Sequence, residues 1–392
     1  MKKTITIISA LIAVLAIVAA IVIAMGPYDE RGLEYSVNED GVTCTITGVG
    51  SCKVKKVDIP EYMDGYKVTA IGANLFYGYG NRVTNTEEGP VYSDLKEITI
   101  PDSVTSIGAG AFYGCDQLKE VVLPSGLKSL GAAVFYNCSN LNGVVLPETL
   151  ESLGDAVFYN CQKLETMTIP DSITKIGQGM FYDCASLKTV RFSEDVTSFG
   201  ALTFYGCASL QEIAIPDGVT EIADWLFAHC SSLQKITVPD GITRIGERAF
   251  SSCVSLESIA IPDGVTEIGH HAFYECKKVT EITIPDSVTV MDVYAFDSCL
   301  ALTSVKLSDS LTEIGERTFN NCEALETLTI PASVEKIGVA ILASSGIKTI
   351  YFDGTVQEWN AVEKADTWYK VTDLTEIVCS DGTVALTSAS QD

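Results

Sequence analysis

The 392-residue chain is expected to fold as a β-rich repeat solenoid. It should consist of 23-residue coils, with parallel strands joined by short helical or 3₁₀ turns, behind an N-terminal transmembrane helix. Three observations predict this. Phenylalanine recurs every 23 residues from Phe112 to Phe319 without a gap. Cysteine does the same from Cys115 to Cys322. The chain also opens with an uncharged run from Thr4 to Met25. A fixed period of 20–50 residues signals an array whose units bury a core only by stacking.

Taken in chain order, the opening comes first. Lys2 and Lys3 precede 22 uncharged residues, long enough for a spanning helix of about 20. A cleavable signal usually has an apolar core of only about 7–15 residues. Residues 1–25 therefore read as an anchor, with membrane contact through residues 4–25 and the N-terminus in the cytoplasm. The "VIA" before Met25 leaves cleavage and secretion as the alternative. Both outcomes export the remainder. Residues 26–70 read as an N-terminal cap. Within it, "TCTITGVGSCKV" resembles a hairpin around Gly48 that sets Cys44 opposite Cys52. A disulfide there is one outcome, and two thiols are the other.

Residues 71–346 read as the solenoid. The consensus is L-x-x-V-x-I-P-x-x-V-x-x-I-G-x-x-A-F-x-x-C-x-x. "LKEVVLP" turns Val121 and Leu123 inward and Glu120 and Val122 outward, the period of a strand. Proline then ends the strand, because it has no N–H for a ladder. "SVTSIG" reads as a second extended stretch, the glycine as a turn former, and "AGAFYGC" as one helical or 3₁₀ turn. The phenylalanines should form a spine of rings. The cysteine column should be buried and reduced, because parallel Cβ vectors stand farther apart than a relaxed disulfide prefers. An insertion interrupts the first coil. Phe76 and Leu95 are 19 positions apart, where Phe112 and Leu118 are 6. The loop within 77–94 is a second candidate for recognition, or a tolerated insertion. Residues 347–386 read as a C-terminal cap with Trp359 and Trp368 over the last coil, and 387–392 as a tail.

The columns resemble the BspA-like class of bacterial surface leucine-rich repeat proteins, over roughly residues 34 to 386. The entry segment "DIPEYMDGYKVTAIGANLFYG" and the closing segment from Ile347 onward agree with it. The resemblance implies surface display, adhesion and aggregation, with no shared catalytic residues.

Net charge is −25, which disfavours nucleic acid and anionic headgroups. An enzyme is not expected. The only histidines are His229, His270 and His271, with the adjacent pair expected to point apart. No H-E-x-x-H, C-x-x-C, Walker or G-x-S-x-G pattern occurs, and no paired carboxylates stand out. Aspartates after the repeated prolines read as turn residues, with a calcium ladder as the sharper alternative. No cofactor or metal site is nominated.

The candidate binding residues are Tyr77, Tyr113, Tyr136, Tyr159, Tyr182 and Tyr205, which follow the phenylalanine column. They form either an amphipathic stripe for a partner or a packing device. The expected function is non-enzymatic recognition of an extracellular protein or glycan at the cell surface. The alternative is an envelope scaffold without a foreign ligand.

Overall fold

The computed structural model describes residues 32–49, 55–77, 94–369 and 374–386. The expected anchor, Cys52 and almost all of the 77–94 insertion lie outside them. Among the described residues no helix is long and apolar enough to cross a membrane.

The coils stack in strict register. Glu120 faces Gly143, Thr166 faces Thr189, and Glu212 faces Lys235, all parallel. These first strands form one side of the solenoid. The second extended stretches form another, with Ser106 beside Ser129 and Ser129 beside Ser152. Alternation decides what is buried: Val121 is 3% exposed, and its neighbour Val122 is 82% exposed. Pro101, Pro124 and Pro147 each open a turn, accepting from the N–H three residues on. Where Ser193 and Ser308 replace proline, the hydroxyl adds its own bond to the backbone N–H two residues later.

The third side keeps the three-residue bonding step of the helical or 3₁₀ turn expected of "AGAFYGC", but not as one continuous turn. It is a chain of β-turns. Tyr113 N–H bonds Gly110 C=O, and Cys115 N–H bonds Phe112 C=O. Alternate amides point along the solenoid instead: Gly110, Phe112 and Gly114 donate to Ala132, Val134 and Tyr136 of the next coil. The third side is therefore a hydrogen-bonded ladder too. This geometry needs two left-handed residues per coil. They recur two positions before and two after each phenylalanine, as at Ala133 and Asn137, or Arg248 and Ser252.

The glycine column serves a different purpose from the one expected. Gly108, Gly131 and Gly154 are not in the positive-φ region. A Cβ on Gly154 would lie 2.3 Å from the amide nitrogen of Ala132. The column exists because successive backbones approach too closely there for a side chain.

Inside, the phenylalanine rings stack at 5.2–5.9 Å from Phe112 to Phe319. Beside them Cys138 to Cys322 are buried free thiols. Each S–H donates to the phenylalanine carbonyl of the preceding coil, as Cys138 does to Phe112 at 3.2 Å and Cys230 to Phe204 at 3.1 Å. Burial pushes these thiols up, Cys322 to about 12, so they stay protonated and unreactive.

The second half of the hairpin expected around Gly48, residues 50–54, lies outside the described residues. Thr43–Gly48 is one strand, antiparallel to Glu34–Val37 on one edge and parallel to Tyr66–Ile71 on the other. With both edges occupied, Cys44 lies between Val37 and Val68. It is buried, and Cys52, its expected neighbour, lies outside the described residues. At the far end Thr327–Ile330, Thr349–Phe352 and Glu376–Cys379 continue in parallel, and Gly382–Ala385 closes them antiparallel. The helix Val356–Ala361 carries a Thr355/Glu358 capping box. It seats Trp359 against Phe352 and Trp368.

Candidate functional site

The turn edge brings all six candidate tyrosines into one row. Phenylalanine points inward, so the next residue lies at the rim. From Tyr113 to Tyr205 the rings stack face to face, at 4.6, 4.2, 4.2 and 4.4 Å and within 7° of parallel. Tyr77 heads the row, tilted 60° to Tyr113 and 55% exposed.

The local sequence makes room for them. The left-handed position before phenylalanine is Gly110, Ala133, Ala156 and Gly179 in the coils of Tyr113 to Tyr182, and Leu202 in that of Tyr205. A Cβ at Gly179 would already touch the Tyr159 ring at 3.6 Å. Burial raises Tyr159 above the usual phenol range, with hydroxyl contacts to Tyr136 and Tyr182 adding to it. Tyr205 is raised in the same way, with Tyr182 contributing. These two phenols are neutral. Because each ring face covers its neighbour, the row offers solvent ring edges and hydroxyls. It offers no open faces along its length.

After Tyr205 the two columns exchange roles. The tyrosine position becomes Ala228 and Ser251, both buried. The left-handed position becomes Trp225, Arg248, His271, Tyr294 and Arg317. The Arg248 guanidinium sits 4.4 Å over the Trp225 ring. His271 stacks on Tyr294 at 4.6 Å, and the Arg317 guanidinium lies 5.6 Å from the centre of the same ring. Sequence reading missed this second row. Its signal was present in the 23-residue step from Gly110 to Ala340, but a column of changing residue types draws no attention. The histidine pair also departs from expectation. The rings of His270 and His271 meet edge to face at 4.0 Å instead of diverging.

The strand side is plainer. Val122 and Val145 stand exposed beside each other. A shallow hollow of about 660 Å³ is lined by Ser209, Gln211, Ser232 and Gln234 with Lys188 and Lys235. Among the described residues no group of three or more His, Cys, Asp or Glu is arranged to hold a metal ion.

Comparison with known proteins agrees with this geometry. The model of the BspA type leucine rich repeat region matches in six copies over residues 91–209, 197–262 and 243–362. A leucine rich cell surface protein from Faecalibacterium prausnitzii is 28% identical, with a TM-score of 0.60, covering 86% of this chain and 97% of its own. A leucine-rich repeat protein from Bacteroides ovatus has the same fold at 24% identity and a TM-score of 0.67, covering 90% and 99%. The pneumococcal vaccine antigen PcpA also shares the fold, at 19% identity and a TM-score of 0.56, covering 90% and 93%. No curated protein matches. With its family model matching in six copies across residues 91–362, most of the chain, this protein belongs to the BspA-type leucine-rich repeat family.

Proposed function

We propose that the protein is a non-enzymatic binding protein displayed at the cell surface, and that its tyrosine edge adheres to an extracellular protein. The observation that carries this reading is the unbroken row of half-buried rings from Tyr113 to Tyr205. Tyrosine supplies apolar area and a polar tip at low entropic cost, which is why it dominates interfaces. Ring edges and hydroxyls in a row suit a protein surface better than a sugar, which stacks on an open ring face. The cell-surface description of the Faecalibacterium relative supports the location. Residues 4–25 serve as the tether, or as a leader removed on export.

The test uses the purified protein against matrix proteins and mucins, beside a variant with Tyr136→Ser, Tyr159→Ser and Tyr182→Ser. Saturable binding should weaken by at least about tenfold in the variant, since an aromatic anchor is worth about 1–2 kcal/mol or more. Thermal melting must show the variant folded. Equal binding by a folded variant removes the tyrosine edge from the proposal. Failure to bind any protein favours an envelope scaffold.

A further inference from the structure

The place where the tyrosine row breaks is a shallow, open cleft of about 470 Å³. That lies within the usual range of small-ligand sites, about 300–1,000 Å³. Buried Ser251 lines it, and so does Tyr274, where tyrosine returns to the column. Large residues from the left-handed column wall it. The fold demands positive φ at that column but no large side chain, because the coils of Phe112 to Phe181 satisfy it with glycine and alanine. Placing Trp225 (φ 60°), Arg248 (φ 50°) and His271 (φ 54°) there costs strain that Gly or Asn would avoid.

The polar groups are arranged with spare capacity. Asp297 is 5% exposed. It accepts from the Ser298 hydroxyl at 2.8 Å and from Asn320 at 3.1 Å, which leaves acceptor sites on its carboxylate unused. His271 Nδ1 is buried without a hydrogen-bond partner. Desolvation, with His270 and Arg248 nearby, pushes that ring down to about 4, so it is neutral at physiological pH. The rim alternates in sign. Arg248 stands 3.2 Å from Glu247, and Arg317 stands 3.9 Å from Glu316. Glu275 holds the Ser252 hydroxyl at 3.3 Å.

Each guanidinium of the lining is already paired, Arg248 with Glu247 and Arg317 with Glu316, which leaves little free positive charge for an anion. Asp297, the one carboxylate of the lining, shares it with both arginines, which disfavours a cation. A neutral polyol meets donors and acceptors in turn, while the aromatic walls accept its apolar C–H surface. We infer that the cleft binds a neutral oligosaccharide, with Trp225 and Tyr274 against the sugar ring and Asp297, His271 and Arg248 bonding its hydroxyls. This site shares no residue with the stacked row from Tyr113 to Tyr205, so either reading can fail while the other stands.

Trp225 supplies the readout. The other two tryptophans, Trp359 and Trp368, are 2% and 6% exposed near the C-terminal end. The full-length protein is titrated with hexamers of maltose, cellulose, mannose and N-acetylglucosamine series, with sialyllactose and a lysine hexamer as charged probes. Tryptophan fluorescence and calorimetry are followed together. One neutral series should saturate with a fluorescence change. Affinity should fall at least about tenfold in Asp297→Asn and Trp225→Ala and stay unchanged in Tyr136→Ser. Arg317 is exposed, so Arg317→Ala supplies a folded variant if Asp297→Asn melts early, and it should weaken binding several-fold. The inference is overturned if no neutral series binds at millimolar concentration, if only a charged probe binds, or if Trp225→Ala and Arg317→Ala bind as the wild type does.

Discussion

His271 makes stability depend on pH in a predictable direction. Burial is the main cause of its low value, about 4 against an ordinary 6.5, with His270 and Arg248 adding repulsion and Asp292 opposing. The unfolded chain therefore takes up the proton first. The stabilisation is complete above about pH 6.5 and is lost progressively as pH falls toward 4. Asp297 acts oppositely: burial raises its carboxyl, so the folded state gains from protonation as the carboxylate range is approached. Between pH 7 and 5 the histidine effect should dominate, at on the order of 1 kcal/mol once solvent screening is discounted. Asparagine tolerates the left-handed backbone, so His271→Asn is a fair control. Urea midpoints should drop for the wild type over that interval and stay flat for the variant. Parallel curves would show that His271 is not the group responsible.

At the level of the coil, the third ladder sets how closely backbones approach, and the glycine column records it. Gly154→Ala would place a methyl 2.3 Å from Ala132 N and 2.5 Å from Gly131 C. Gly126→Ala meets nothing nearer than 3.9 Å. The first should destabilise by about 1–3 kcal/mol through overpacking. The second should be neutral or gain about 0.4–1 kcal/mol through the unfolded chain. Equal melting temperatures would refute the close-approach account. Ala223 and Asp292 occupy this column naturally, so a coil built around a side chain can open its spacing. The coil after Asp292 agrees, since a Cβ on Gly315 would lie 3.0–3.2 Å from Val293. The strands, the phenylalanine spine and the thiol column were legible in the sequence because each coil gives those positions the same apolar surroundings, so one residue type recurs. The turn edge was only half legible. Its tyrosines recur and were found. Its left-handed positions are fixed by backbone geometry, which Gly, Ala, Trp, Arg and His all satisfy here, so no residue pattern marks them. The cleft depends on that unmarked column and was invisible for the same reason.

Across the whole solenoid, each coil touches only its neighbours, so stability is a sum of coil terms and interface terms. Both ends have antiparallel closure: Glu34–Val37 lies against Thr43–Gly48, and Gly382–Ala385 against Glu376–Cys379. These pairings cover strand edges that would otherwise recruit another chain. Trp359 is the largest side chain of the C-terminal helix and is 2% exposed, packed on Phe352 and Trp368 and under the Lys364 ammonium at 4.6 Å. Trp359→Ala should cost about 3–5 kcal/mol, and nearest-neighbour coupling fixes where that loss appears. Amide exchange should accelerate in Thr327–Ile330, Thr349–Phe352 and Glu376–Cys379, the strands that stack toward the helix. Amides of the ladder from Ser106 to Leu153 should exchange as in the wild type, because many intact interfaces separate them from the lesion. A uniform loss of protection would instead mean that interface terms outweigh coil terms throughout. The molecule would then open as one unit, and neither end could loosen without unfolding the tyrosine edge and the cleft together.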